Sequence, residues 1–200
     1  MRITITGPRS VGKSTISKLL AKKLKLKYIS SDEIGEKHTQ KYGGLSEAIK
    51  SGKIKGMIKK DGYSLIKEVY KKDNFVFDLA GGVVSSQKSK EASEKIRKVA
   101  IKNSIIIGLL PSKNEKESIQ FLFERERERK HFKSIDKIEL FEKVEKDYKK
   151  YPLLFNKICK EIIYVKDKTP IEIVKEIIKK YNTFMKRKNK KKDKDKKKQS

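Results

Sequence analysis

An α/β architecture, a five-stranded parallel sheet flanked by helices, is predicted for this 200-residue chain by three features. Five short apolar runs of strand length recur along it. Stretches of helical period separate them, and the fourth run is apolar without alternation, as a strand buried on both faces must be. The first run, Ile3-Thr4-Ile5-Thr6, leads directly into Gly7-Pro8-Arg9-Ser10-Val11-Gly12-Lys13-Ser14-Thr15. A helix from Lys13 to Leu24 follows, because Ile16, Leu19, Leu20 and Leu24 repeat at helical spacing.

The remaining elements follow in order. Lys27-Tyr28-Ile29 is a short second strand, and Ser30-Ser31-Asp32-Glu33 opens another helix. Residues 33–72 are too long for a simple crossover and are punctuated by Gly43, Gly44, Gly52, Gly56 and Gly62, which suits a substrate-holding excursion. The third strand is Asn74-Phe75-Val76-Phe77-Asp78-Leu79, ending in Ala80-Gly81-Gly82. The fourth spans 104–110 and the fifth 161–165. Helical patterns cover 86–101, 115–130, 135–150 and 170–185, the last with Pro170 in a tolerated first-turn position. The expected organisation is one domain over 1–185, with a lid region at 112–134, and a disordered lysine-rich tail over 186–200.

The G-x-x-x-x-G-K-S stretch at Gly7–Ser14 carries a specific chemistry. Glycines let successive backbone N–H groups approach phosphate oxygens, the lysine places charge on the outer phosphates, and the Ser14 hydroxyl can ligate magnesium. Lying between a strand and a helix, the stretch is a nucleotide phosphate loop, and the fold expected is the three-layer P-loop NTPase sandwich. In such sheets ligands gather at the carboxyl ends of the strands. The phosphate loop, Asp32, Asp78 with Gly81 and Gly82, and the segment after Leu110 should therefore share one cleft. Asp78 at a strand end suits a magnesium carboxylate, against the plainer role of capping a turn. Asp78-Leu79-Ala80-Gly81 also fits the D-x-x-G of regulatory GTPases, but Lys166-Asp167-Lys168-Thr169 is not a guanine-selecting element.

Charge adds less than its size suggests. The formal net charge is +27. Residues 186–200 hold +8 of it, and the rest is spread as lysines over nearly every helix. Weak, salt-sensitive contact of the tail with polyanions is expected, and specific nucleic-acid binding is the alternative from another class. Arginine is more selective: only seven of 53 basic residues are arginines, yet Arg125, Arg127 and Arg129 alternate with glutamates over 124–129. A guanidinium grips phosphate bidentately where lysine cannot, so the run reads as a lid that closes during transfer. The alternative is a solvent-facing helix laced by Glu/Arg pairs. The single cysteine, Cys159, excludes an internal disulfide, and His38 and His131 lack metal-ligand spacing. The chain enters a strand without a secretory leader, and no apolar run approaches a membrane span, so a cytoplasmic monomer is expected.

Ile5-Thr6-Gly7 through Thr15, Leu20-Ala21-Lys22-Lys23-Leu24, Tyr28-Ile29-Ser30-Ser31-Asp32, Asp78 through Val84, Glu124-Arg125 and Arg129 resemble the shikimate kinases in order and rough spacing. The resemblance covers about residues 1–180. It implies an ATP- and Mg²⁺-dependent kinase moving the γ-phosphoryl to a hydroxyl of a small acceptor, shikimate in that family. It also implies that Asp32, Gly81 and Gly82 contact the acceptor, that Arg125 lies on the nucleotide side, and that Lys13, Asp32 and Arg129 carry catalysis. Gly7 to Thr15 would hold nucleotide, with metal at Ser14 and Asp78. Two departures concern the acceptor. Gly62-Tyr63 and Lys150-Tyr151 stand where the family places its carboxylate-binding arginines, leaving lysines such as Lys59, Lys60, Lys149 and Lys150 to supply charge. A nucleoside monophosphate kinase is the alternative within the enzyme class, although 33–72 contains no arginine for an acceptor phosphate.

Overall fold

The structure, a computed structural model, describes residues 1–40, 43–44, 61–129 and 135–196, with side chains as far as Arg187. The elements run β1 (Arg2–Gly7), α1 (Lys13–Leu24), β2 (Lys27–Ser30), α2 (Ser31–Thr39), α3 (Tyr63–Val69), β3 (Phe75–Ala80), α4 (Gly81–Ser85) and α5 (Lys90–Asn103). They continue with β4 (Ile105–Leu110), α6 (Glu115–Arg127), α7 (Lys137–Tyr148), α8 (Tyr151–Ile158), β5 (Glu161–Tyr164) and α9 (Pro170–Lys196).

All strand pairs are parallel, in the order β2-β3-β1-β4-β5. On the three inner strands Ile3, Ile5, Phe75, Phe77, Leu79 and Leu109 are fully buried. One core cluster joins β1 and β4 to α1 and α6–α9 through Leu20, Leu122, Leu140, Phe155 and Ile177. The other joins β3 to α3, α4 and α5 through Ile66, Val84 and Ile96. Thr4 and Thr6 are buried polar residues within β1. The Thr4 hydroxyl is bonded to Ser104 Oγ at 2.8 Å and Tyr70 Oη at 3.1 Å, so burial leaves it no unmet demand, whereas Thr6 Oγ1 has no hydrogen-bond partner among the described residues.

The α/β sheet is as expected, but three boundaries are corrected. The stretch expected to be helical over 86–101 begins later, at Lys90, and is preceded by the separate short α4. An eighth helix, α8, follows α7 after a break at Lys149 and Lys150; its Pro152 sits in the first turn, where a missing N–H costs nothing. The expected helix over 170–185 continues to Lys196, so the tail is helical rather than disordered as far as that residue. Nothing between Tyr181 and Lys196 stops a helix. No glycine or proline occurs there, and lysine is a good helix former. Among the described residues no helix is long and apolar enough to cross a membrane.

Candidate active site

Parallel register assembles the site. Asp78 lies opposite Ile5 on β1 and Ser30 on β2, and Ala80 lies opposite Gly7. The carboxyl ends of three strands therefore present the phosphate loop, the start of α2 and the start of α4 side by side. Close approach of these segments demands glycine at position 81. A Cβ there would collide with the Gly7 carbonyl and lie 2.7 Å from the Tyr151 hydroxyl.

The phosphate loop turns through two left-handed residues, Ser10 (φ 61°) and Gly12 (φ 98°). Gly12 caps α1 without a side-chain hydrogen bond, and the first turn of α1 holds no acidic residue. The N-terminal amides of α1 are thus not capped by a side chain at the N-cap, and the helix dipole favours negative charge there. Lys13 Nζ donates to the Pro8 carbonyl at 2.9 Å. Burial lowers the Lys13 pKa most strongly; the carboxylates of Asp78 and Asp32 oppose the fall, and the charges of Arg9 and Arg129 add to it. Those four residues are thereby within electrostatic reach of one ammonium.

Asp78 is 3% exposed. It lies within β3 rather than at its end, since the strand continues to Ala80. Burial pushes its carboxyl above the ordinary range, while a hydrogen bond from Ser14 and the charge of Lys13 pull it back. Tyr28 Oη donates to Asp78 Oδ2 at 3.3 Å, and burial with the Asp78 charge pushes the Tyr28 phenol up to about 12. A strand interior offers no turn to cap, which removes the plainer role for Asp78. Ser14 and Asp78 form a pair of hard oxygen donors that fits magnesium. Among the described residues no group of three or more His, Cys, Asp or Glu could hold a metal by itself. That also suits magnesium, which keeps waters and phosphate oxygens in its shell.

A cavity of about 280 Å³ opens beside this centre between α2, α3, α4 and α5. Asp32 and Gly82 line it together with Ser31 and His38 and an apolar wall of Ile34, Leu65, Ile66, Val83 and Ile96. Ser30 does not line it. It caps α2, accepting from the Asp32 and Glu33 amides at 3.2 and 3.4 Å. Gly81 is absent from the lining, being packed beneath Gly7, whereas a Cβ on Gly82 would meet nothing within 4 Å. His38, given no role by its spacing, pairs with Asp61 at 3.2 Å along the cavity. Of the lysines considered for charge, Lys149 pairs with Glu145 and Lys150 with Asp147, at 2.7 and 2.6 Å. Lys59, Lys60 and His131 lie outside the described residues.

On the other flank of the loop a second cavity of about 330 Å³ is lined by Val11, Gly12, Thr15, Phe121 and Arg125 and by the turn after β5, Val165 to Pro170. That turn carried no signal beyond following a strand. Arg125 donates from Nη1 to the Ser10 carbonyl at 3.1 Å, and its guanidinium lies 4.7 Å from the centre of the Phe121 ring. Arg127 and Arg129 are exposed. Glu126 is not: it is 4% exposed and accepts from Ser10 Oγ at 2.7 Å. The alternating charges concealed this residue, although its helical phase with Ile119 and Leu122 places it on the buried face. The Glu/Arg run is therefore docked on the phosphate loop and is not a wholly solvent-facing helix. Burial pushes the Cys159 thiol up to about 12, which disfavours the thiolate that a nucleophile needs.

The parallel sheet and the phosphate loop that follows its central strand are those of the P-loop phosphotransferases. A family model for shikimate kinase matches residues 9–182, and the chain belongs to that family. No curated protein matches it in sequence. Solved structures that it resembles include shikimate kinase from Bacteroides thetaiotaomicron (TM-score 0.68, 17% identity, covering 88% of this chain and 96% of the other). Shikimate kinase from Aquifex aeolicus gives TM-score 0.62 and 22% identity, with 92% and 98% covered. Deoxyadenosine kinase from M. mycoides gives TM-score 0.57 and 20% identity, with 92% and 100% covered. At such identities the likeness is one of fold.

Proposed function

We propose that the chain transfers the γ-phosphoryl of ATP to a hydroxyl of a small molecule held in the cavity beside Asp32, with shikimate as the acceptor to test first. The observation that carries this is the strand register that sets the phosphate loop after β1 beside Asp78 on β3, with the cavity lined by Asp32 and Gly82 next to it. Phosphoryl transfer needs positioning and charge stabilisation more than covalent chemistry from the protein. The residues from Gly7 to Thr15 would hold the phosphates, Lys13 leaving the Pro8 carbonyl to meet the outer ones. Arg125 would hold the nucleotide from its own flank, where the second cavity has room for a base. Ser14 and Asp78 would hold Mg²⁺, which supplies neutralisation of phosphate charge when bound. Asp32 would orient the acceptor hydroxyl and accept its proton, Gly81 and Gly82 would let the acceptor approach, and Arg129 would meet the transferring group. A monomer working in the cytoplasm completes the proposal.

ADP release with MgATP and a panel of shikimate, other hydroxylated acids, nucleosides and nucleoside monophosphates tests it directly. Turnover with shikimate that disappears in Lys13→Ala is the expected result. Turnover with nucleosides alone would keep the chemistry and overturn the acceptor. No ADP release with any acceptor, from protein that binds MgATP, would overturn both.

A further inference from the structure

We infer that Glu126 is a positioning residue of the phosphate loop, acting through Ser10. Ser10 holds φ 61° without being glycine, a conformation that L side chains resist and that persists only where its surroundings enforce it. Two consecutive residues of α6 do the enforcing. Glu126 Oε1 accepts from Ser10 Oγ at 2.7 Å, and Arg125 Nη1 donates to the Ser10 carbonyl at 3.1 Å. The hydroxyl is the donor and the carboxylate oxygen the acceptor, which fixes the rotamer of the hydroxyl. The carboxylate is 4% exposed, so no water competes on equal terms for this bond.

The placement is unexpected on charge alone, because a buried anion beside a phosphate site weakens phosphate binding by repulsion. Its gain is geometric: it keeps the loop amides in the arrangement that phosphate needs before any nucleotide arrives. The same residue ties in the backbone of Arg129, whose amide donates to the Glu126 carbonyl at 3.0 Å. Ser10 and the arginine-bearing end of α6 are thereby held as one unit.

The inference rests on the loop binding ATP, so direct MgATP binding by the wild-type protein is measured first; absence of binding there would overturn the proposed function rather than the role of Glu126. Given binding, Ser10→Ala and Glu126→Ala should each weaken MgATP affinity about tenfold while the acceptor KM stays within about twofold. The double variant should be no weaker than either single one, because both remove the same bond. Glu126→Gln, whose amide oxygen still accepts from Ser10, should recover most of the affinity. Ser10→Ala removes one hydroxyl from a partly exposed loop and cannot be dismissed as misfolded. An MgATP affinity within twofold of wild type in Ser10→Ala, equal losses for nucleotide and acceptor in Glu126→Ala, or multiplying losses in the double variant would each overturn the inference.

Discussion

At the level of single residues, the site separates groups that matter by charge from those that matter by shape. Lys13→Ala removes the ammonium that Asp78 and Asp32 face, and transfer should fall by at least a hundredfold with the fold retained, which circular dichroism beside a single-turnover assay would show. Asp78 carries a cost as well as a function. Its folded pKa is raised above the ordinary 3.8, so its contribution to stability is complete below that value and is lost as pH rises through the folded pKa. Where it is ionised, the group strains the ligand-free protein. Asp78→Asn should therefore raise the Tm of that form, by about 2–4 °C for each ~1 kcal/mol relieved, with the difference shrinking as pH is lowered towards 4. The same variant should need several-fold more magnesium for turnover, since an amide is a poor ligand for a hard cation. A lower Tm with unchanged magnesium demand would make Asp78 purely structural. Arg129→Lys keeps a charge that reaches Lys13 but loses the planar fork, and should slow single turnover about tenfold, equivalent to about 1.4 kcal/mol in the barrier. Arg127→Lys, on an exposed neighbour, should be silent.

At the level of elements, the glycine pair opening α4 divides two tasks. Gly81→Ala puts a methyl into the Gly7 carbonyl, which is backbone and cannot swing away, so thermal unfolding should come several degrees earlier and nucleotide turnover should fall with it. Gly82→Ala meets nothing within 4 Å and borders the cavity proposed for the acceptor. Its Tm should hold while the acceptor KM changes; an unaltered KM would remove Gly82 from the acceptor's surroundings. The sequence made the phosphate loop legible because its chemistry is local, eight consecutive residues between a strand and a helix. It made β3 and β4 legible because burial on both faces leaves a continuous apolar run. What stayed hidden depends on distance. Glu126 reads as surface charge until α6 is laid against Ser10, 116 residues away in sequence. The turn at Val165–Pro170 has no motif of its own and gains meaning only from sitting across a cavity from Arg125. The break between α7 and α8 was unreadable for a different reason: Lys149 and Lys150 are compatible with an unbroken helix, and only the packing of Tyr148 and Tyr151 distinguishes the two.

For the whole molecule, α9 joins the domain to its basic end. Ile173, Val174, Ile177 and Tyr181 are buried against the core, and Met185 packs partly on it. Beyond Arg187 the sequence holds only Lys, Asn, Asp, Gln and Ser, with no apolar side chain to bury. Truncation after Arg187 should leave Tm within about 2 °C and turnover unchanged, and a larger loss would mean that this end docks on the domain. The two cavities lie on opposite flanks of the phosphate loop and have no lining residue in common. Neither therefore forms a wall of the other, and filling one need not complete or block the second. Either substrate can load first. Initial-velocity lines should accordingly intersect rather than run parallel. ADP should compete with ATP alone and the phosphorylated product with the acceptor alone, the pattern of a random ternary-complex enzyme.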